Sequence, residues 1–390
     1  MTGKERVYAA LSGKIPDRVP VFPKIWVDLA SNLTGTDLTE VISDPYTALD
    51  VIFQAGKLCK ADGIRQFHFP ARRISTDESG RVYEVNPKGE KIGIIDMEGG
   101  LITHLFEPDP DAIEKPYFMA HNHYWTAEEP FVKNIGDAER IVVPSMEFFK
   151  EFGWQERQEK IIKKNNSQMA IAGDLHSATL AFYAEMRGIN RALLDIVEEP
   201  QLAHRVMEKG AQIAIEKGKF HIDMGIKILR LNDSVGNMSV ISPKHWRQFI
   251  YPHIRDVCSE IHSYDSSARI YCHICGNILP VVKDLVRTGI DCIGPLDPLG
   301  GFKAKDIRNI VNETFPLLGG VDTLSFINKS PEGIIEESRE CIRQAGARGS
   351  YILSSGCVIP RNAPLENLLA LRDASERFGK YEEGRLIQGD

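Results

Sequence analysis

The chain predicts an α/β protein built as a (β/α)8 barrel, and three observations carry that prediction. Eight short apolar, β-rich runs are spread along the 390 residues. From about residue 160 onward each run is followed by a helical pattern, and strands that alternate with helices pair in parallel. The runs also finish in polar or metal-capable side chains, at the end of the strands where a barrel carries its active site.

The elements follow in order. Residues 4–13 have helical spacing and stop at Gly13. Pro16-Asp17-Arg18-Val19-Pro20 leads into a first strand-like run over 19–26, and Asp44-Pro45 starts a helix over 44–60. A second strand is predicted over 63–69. The texture then changes. Between about 71 and 130, turn signals such as Asp77-Glu78-Ser79-Gly80, Pro87-Lys88-Gly89 and Gly99-Gly100 punctuate short β-rich segments. That pattern predicts a small antiparallel meander. It reads as an insertion covering or flanking the barrel mouth, with 1–390 forming a single domain. His121 and His123 within it read as loop histidines at the surface in preference to metal ligands. The remaining strands are predicted at 169–172, 226–231, 269–274, 292–296, 315–321 and 351–353. Ser242-Pro243 and Ser330-Pro331 start the helices at 243–262 and 331–346.

Composition excludes several classes. Hydrophobic residues make up 43% and charged residues 26% of the chain, as in a soluble enzyme with a large core. A net charge of −7 with no Lys/Arg cluster argues against a nucleic-acid surface. No apolar stretch is long enough to span a bilayer, and the N-terminus lacks the apolar core of a signal peptide. Seven scattered cysteines, an odd number, fit a reduced cytoplasmic protein.

The chemistry concentrates at the strand ends. In a strand, residues i and i+2 share a face, so His273 and Cys275 stand side by side where the run 269–274 ends at Gly276. Imidazole and thiolate are favoured zinc ligands. Cys357 ends another β-rich run, and a barrel brings all three to one rim. Three such ligands with one open position is the pattern of catalytic zinc. The alternative is that these are buried packing residues. Asp174, His176, Asp233, Asp297 and Asp322 end other runs; singly, each Asp also reads as a helix cap.

These residues resemble the uroporphyrinogen decarboxylase superfamily, and within it the zinc-dependent corrinoid methyltransferases. The resemblance covers most of the chain, through Glu5-Arg6, Pro16-Asp17-Arg18-Val19-Pro20, Met186-Arg187-Gly188, Asn232-Asp233, Ile241-Ser242-Pro243, Tyr251-Pro252 and Gly319-Gly320-Val321-Asp322. Its most specific part is the H-x-C…C signature at His273, Cys275 and Cys357. The resemblance implies zinc on those three residues. It also implies methyl transfer between a small-molecule methyl donor or acceptor and cobalamin carried by a partner corrinoid protein. Asp233, Asp174, His176 and Asp322 are then candidates for orienting substrate or moving a proton, with Asp233 first because the match is dense around it.

Two departures stand out. The decarboxylases carry an arginine-rich segment after the first strand that grips carboxylates, whereas residues 21–32 here contain no arginine. A substrate with many carboxylates needs such fork-shaped cations, so decarboxylation is the second reading. Some methyltransferases of this type also use an acidic fourth zinc ligand. The matching position is Leu296, with Asp297 one residue on, so Asp297 is either that ligand or a helix cap.

Overall fold

The computed structural model describes residues 1–165 and 168–387. Strand β1 (Gly63–Gln66) is followed by five short strands: β2 (Ile74–Thr76), β3 (Val82–Val85), β4 (Lys91–Ile95), β5 (Thr103–Leu105) and β6 (Trp125–Thr126). Then come β7 (Ala170–Ser177), β8 (Ile228–Asn232), β9 (Arg269–His273), β10 (Cys292–Leu296), β11 (Leu317–Val321) and β12 (Tyr351–Ser355).

One seven-stranded sheet runs β1-β7-β8-β9-β10-β11-β12 with every pairing parallel. Helix Pro45–Leu58 precedes β1, and helices such as Pro200–Asp223, Tyr251–Tyr264 and Pro331–Ala345 lie between consecutive strands of this sheet in the chain. The predicted start signals hold: Asp44 caps the first of these, and Ser330 with Pro331 opens the last. The eighth segment joins the two edges of the sheet. Val21 bridges Leu353 in β12, while its carbonyl accepts the Asp62 N–H at 2.8 Å, next to β1. The expected strand over 19–26 is therefore reduced to this short contact. Pro20 and Pro23 have no N–H to give a ladder, and a helix already begins at Val27.

The segment 71–130 does hold a separate five-stranded sheet, β2-β3-β4-β5-β6. It departs from a meander at its end, where β5 and β6 pair in parallel (Thr103 with Trp125). The helix Pro116–His121 lies between them and carries the chain back to the same side. The loop histidines are also not at the surface. His121 is fully buried between Tyr117 and Trp154, and His123 stacks edge-on against His176. Aromatic neighbours pull this stretch inward.

Beneath the strands, at their N-terminal ends, Asp62 is clamped by Arg6 at 2.6 Å and Arg18 at 2.8 Å, all three buried. This network ties the N-terminal helix Gly3–Leu11 to the barrel floor, away from the C-terminal ends of the strands. No described helix is long and apolar enough to cross a membrane.

Candidate metal centre and its cavity

β9 and β12 each deliver part of the centre. β9 ends at His273, and Gly276, at φ +83°, turns the chain so that Cys275 stays beside the imidazole. Asp297 accepts the Gly276 N–H at 2.9 Å and holds that turn. After β12, the Gly356 N–H bonds to Val321 O at 2.6 Å. A Cβ on Gly356 would lie 2.8 Å from Pro298 Cδ and 3.3 Å from Asp297 Cα, so this approach is open only to glycine. The Ser355 hydroxyl donates to Cys357 O at 2.6 Å and accepts from the Lys24 N–H, pinning the loop to the segment after Val21.

The three side chains predicted from the sequence meet. Cys275 Sγ lies 3.0 Å from His273 Nε2 and 2.9 Å from Cys357 Sγ, and the third edge of the triangle is 3.9 Å. Among the described residues, this is the one group of three or more His, Cys, Asp or Glu whose donor atoms converge as a metal-binding set. Both cysteines are free thiols and partly accessible, whereas His273 is fully buried. Burial, helped by the Lys24 charge, holds His273 well below its ordinary pKa and therefore neutral. The shared hydrogen bond raises the Cys275 thiol, together with burial, and lowers Cys357, which Lys24 also favours as thiolate. A neutral imidazole and a thiolate are the protonation states that metal binding needs. One nitrogen and two sulfurs suit a borderline-soft ion, and three protein ligands leave a coordination position open. The residues present therefore fit zinc.

Asp297 does not join this group. Its two oxygens are taken by the N–H groups of Gly276 and Leu299, so it shapes the loop that carries Cys275.

A cavity of about 310 Å³ opens beside the centre, near the lower end of the range for small-molecule sites, roughly 300–1,000 Å³. Lys24 connects the two: it lines the cavity, and its Nζ lies 3.0 Å from His273 Nε2 and 4.0 Å from Cys357 Sγ. Burial lowers the Lys24 ammonium to about 7, with Arg230 adding to the effect. Trp26 and Phe67, ring centroids 4.3 Å apart, form the apolar wall, and Gly99 and Gly100 from the 71–130 segment complete the lining.

The other predicted rim residues separate. Asp174 and His176 line the cavity. Burial works to raise the Asp174 carboxyl, but the Arg230 guanidinium at 2.8 Å outweighs it and holds the group ionised. His176 sits at φ +61°, where β7 departs from its register with β8, and burial keeps its ring neutral. A non-glycine residue held there is a strained position of the kind found at functional sites. Asp233 lies off the cavity; its Oδ1 accepts the Ala181 N–H at 2.7 Å and secures the start of helix Leu180–Arg187. Asp322 accepts the Leu324 N–H and is likewise outside the lining.

Sequence reasoning missed Lys24, Arg230 and Glu185, all on the cavity wall. Each left a signal. Lys24 interrupts an apolar run, Arg230 sits inside a buried strand, and Glu185 falls four residues after Ala181 on the buried face of helix Leu180–Arg187.

The fold and the site define a (β/α)8 barrel with a soft-donor triad at its catalytic rim. Residues 122–378 match the model of the uroporphyrinogen decarboxylase (URO-D) family, and the chain belongs to that family. It is 20% identical to the methylcobamide:CoM methyltransferase MtaA of Methanosarcina barkeri across 97% of this chain and 98% of that protein. It is 29% identical to a methylated-thiol–coenzyme M methyltransferase of Methanosarcina mazei, over 44% of each. A uroporphyrinogen decarboxylase of Chloroherpeton thalassium is 25% identical over 75% of this chain and 83% of its own length. A solved methyltransferase from Methanosarcina mazei superposes with a TM-score of 0.70 over 96% of this chain at 17% identity, which establishes the barrel fold.

Proposed function

We propose that this protein moves a methyl group between the cobalamin of a partner corrinoid protein and a small thiol, with zinc held by His273, Cys275 and Cys357. The observation that carries this reading is the convergence of those three donors beside a cavity sized for a small molecule. The relatives that act on coenzyme M supply the thiol as the substrate class.

Zinc held by His273, Cys275 and Cys357 would supply Lewis acidity, which lowers the pKa of a coordinating thiol. The chain's own residues do the rest. Cys275 and Cys357 hold the site at the end of the barrel where a macromolecular partner has access. Trp26 and Phe67 wall the cavity and exclude water, which strengthens the electrostatics inside. Asp174 fixes Arg230 and so sets where positive charge meets the substrate. Decarboxylation of a tetrapyrrole is disfavoured by the size of the cavity and by the absence of arginine across residues 21–32.

The test is methyl transfer from methylcobalamin to coenzyme M, followed in the cobalt absorption spectrum alongside zinc analysis. Stoichiometric zinc and zinc-dependent transfer are expected, and both should be lost in Cys275→Ala and Cys357→Ala. Protein isolated without chelator that contains no zinc, or transfer that persists after the metal is stripped, refutes the reading.

A further inference from the structure

We propose that Glu185 is the group that exchanges the thiol proton during methyl transfer, a role that rests on the thiol reading above. Glu185 lines the cavity from helix Leu180–Arg187. The Ser177 hydroxyl donates to Oε1 at 2.7 Å and the Asn122 amide donates to Oε2. Ser177 in turn accepts from Asn232, which accepts from Arg230, whose other nitrogen bonds to Asp174. The carboxyl is thus fixed at the end of a chain of hydrogen bonds running around the wall.

The remaining proton carriers of that wall are unsuited. Asp174 is committed to Arg230 as an ion pair. His123 and His176 are kept neutral by burial and hold a proton only weakly. Asp28 sits at the start of helix Val27–Thr34 with its Oδ1 on the Leu29 N–H. Lys24 is also lowered to about 7, but its Nζ is held against His273 Nε2 at 3.0 Å. Among the carboxyls of the wall, Glu185 alone is both free of a cationic partner in contact and poised near neutrality. Burial raises its carboxyl to about 7 against the two hydrogen bonds it accepts. Buried Lys217 favours its charged form and Asp233 opposes it, while Asp174, His176 and His123 face it across the cavity. A base with a pKa near the working pH is the efficient case for proton transfer, directly or through one water.

The step balances as follows. The thiol S–H bond gives its proton to the Glu185 carboxylate, and the sulfur electron pair forms the new S–CH3 bond. The methyl–cobalt bond of the methylated corrinoid, the co-substrate, breaks with its pair left on cobalt. The Glu185 acid then returns its proton to solvent.

The experiment compares wild type, Glu185→Gln and Glu185→Asp with methylcobalamin and two acceptors. One is 2-mercaptoethanol, a thiol at neutral pH, and the other is 4-nitrothiophenol, which is already ionised. Glu185→Gln should lose about 100-fold or more in kcat/KM with the first. The loss with the ionised acceptor should be at least about tenfold smaller, and Glu185→Asp should recover part of the rate. Wild-type rates with 2-mercaptoethanol should rise through about pH 7, a step missing in Glu185→Gln. Equal losses with both acceptors, or a wild-type rate flat across neutral pH, overturn the proposal. A second readout needs no turnover: the carboxylic acid C=O band in infrared difference spectra should titrate near pH 7 and vanish in Glu185→Gln. Titration at the ordinary glutamate value overturns the assignment even if transfer is observed. No transfer to either acceptor by wild type fails the methyl-transfer reading itself, and the role of Glu185 falls with it.

Discussion

Asp297 and Asp233 show how little residue type decides when a carboxylate ends a strand. Both stand at the barrel rim and both were candidates for chemistry, yet Asp297 gives both oxygens to backbone N–H groups and Asp233 gives its Oδ1 to the Ala181 N–H, off the cavity. The two roles separate by experiment. Asp297→Ala should keep its zinc but lose about 0.5–2 kcal/mol of stability, the cost of a lost cap, read from the urea midpoint. Loss of zinc with unchanged stability would instead make Asp297 a ligand. Asp233→Ala should likewise lower stability through the helix at 180–187 and leave zinc content unchanged, measured on the same samples.

Loops and strand ends carry the site, and the strands beneath carry the stability. Gly356 links the two because its missing side chain lets the loop bearing Cys357 pass against Pro298. Gly356→Ala should push Cys357 out of place and weaken zinc binding, measured by chelator competition, with little change in the thermal midpoint. At the opposite end of the barrel, Asp62 receives Arg6 and Arg18 in a buried network. Removing one member of such a network strands unpaired buried charge, so Asp62→Ala should cost about 3–5 kcal/mol. Its zinc occupancy under native conditions should match that of wild type. A variant that lost zinc without losing stability would break this division of labour.

At the scale of the whole molecule, folding is expected not to depend on the proposed metal. The buried core extends through the barrel and its surrounding helices, far beyond the triad. Stripping zinc with a chelator should therefore abolish methyl transfer while far-UV circular dichroism stays unchanged, unlike small zinc domains that unfold without metal. Collapse of the circular dichroism signal would show that the centre is structural. At this level much was legible in the sequence. Seven of the eight runs became strands, since β-rich apolar segments between helix start signals have few other places to go. The run at 19–26 failed because two prolines remove its donors. His121 and His123 were misjudged as surface residues because Trp154 and His176, which pack against them, come from distant parts of the chain.

The sequence by itself determined the barrel, through its alternation of strand and helix patterns, and the convergent His/Cys triad, through the spacing of His273 and Cys275 and the position of Cys357 at a strand end. Both are local properties, written in residues close along the chain or in a repeating pattern. Only the tertiary structure decided that Lys24, Arg230 and Glu185 face one cavity, that Asp233 and Asp297 serve the backbone, and which carboxyl stays near neutrality. Those outcomes depend on burial and on partners contributed by distant segments, and no spacing along the chain records them.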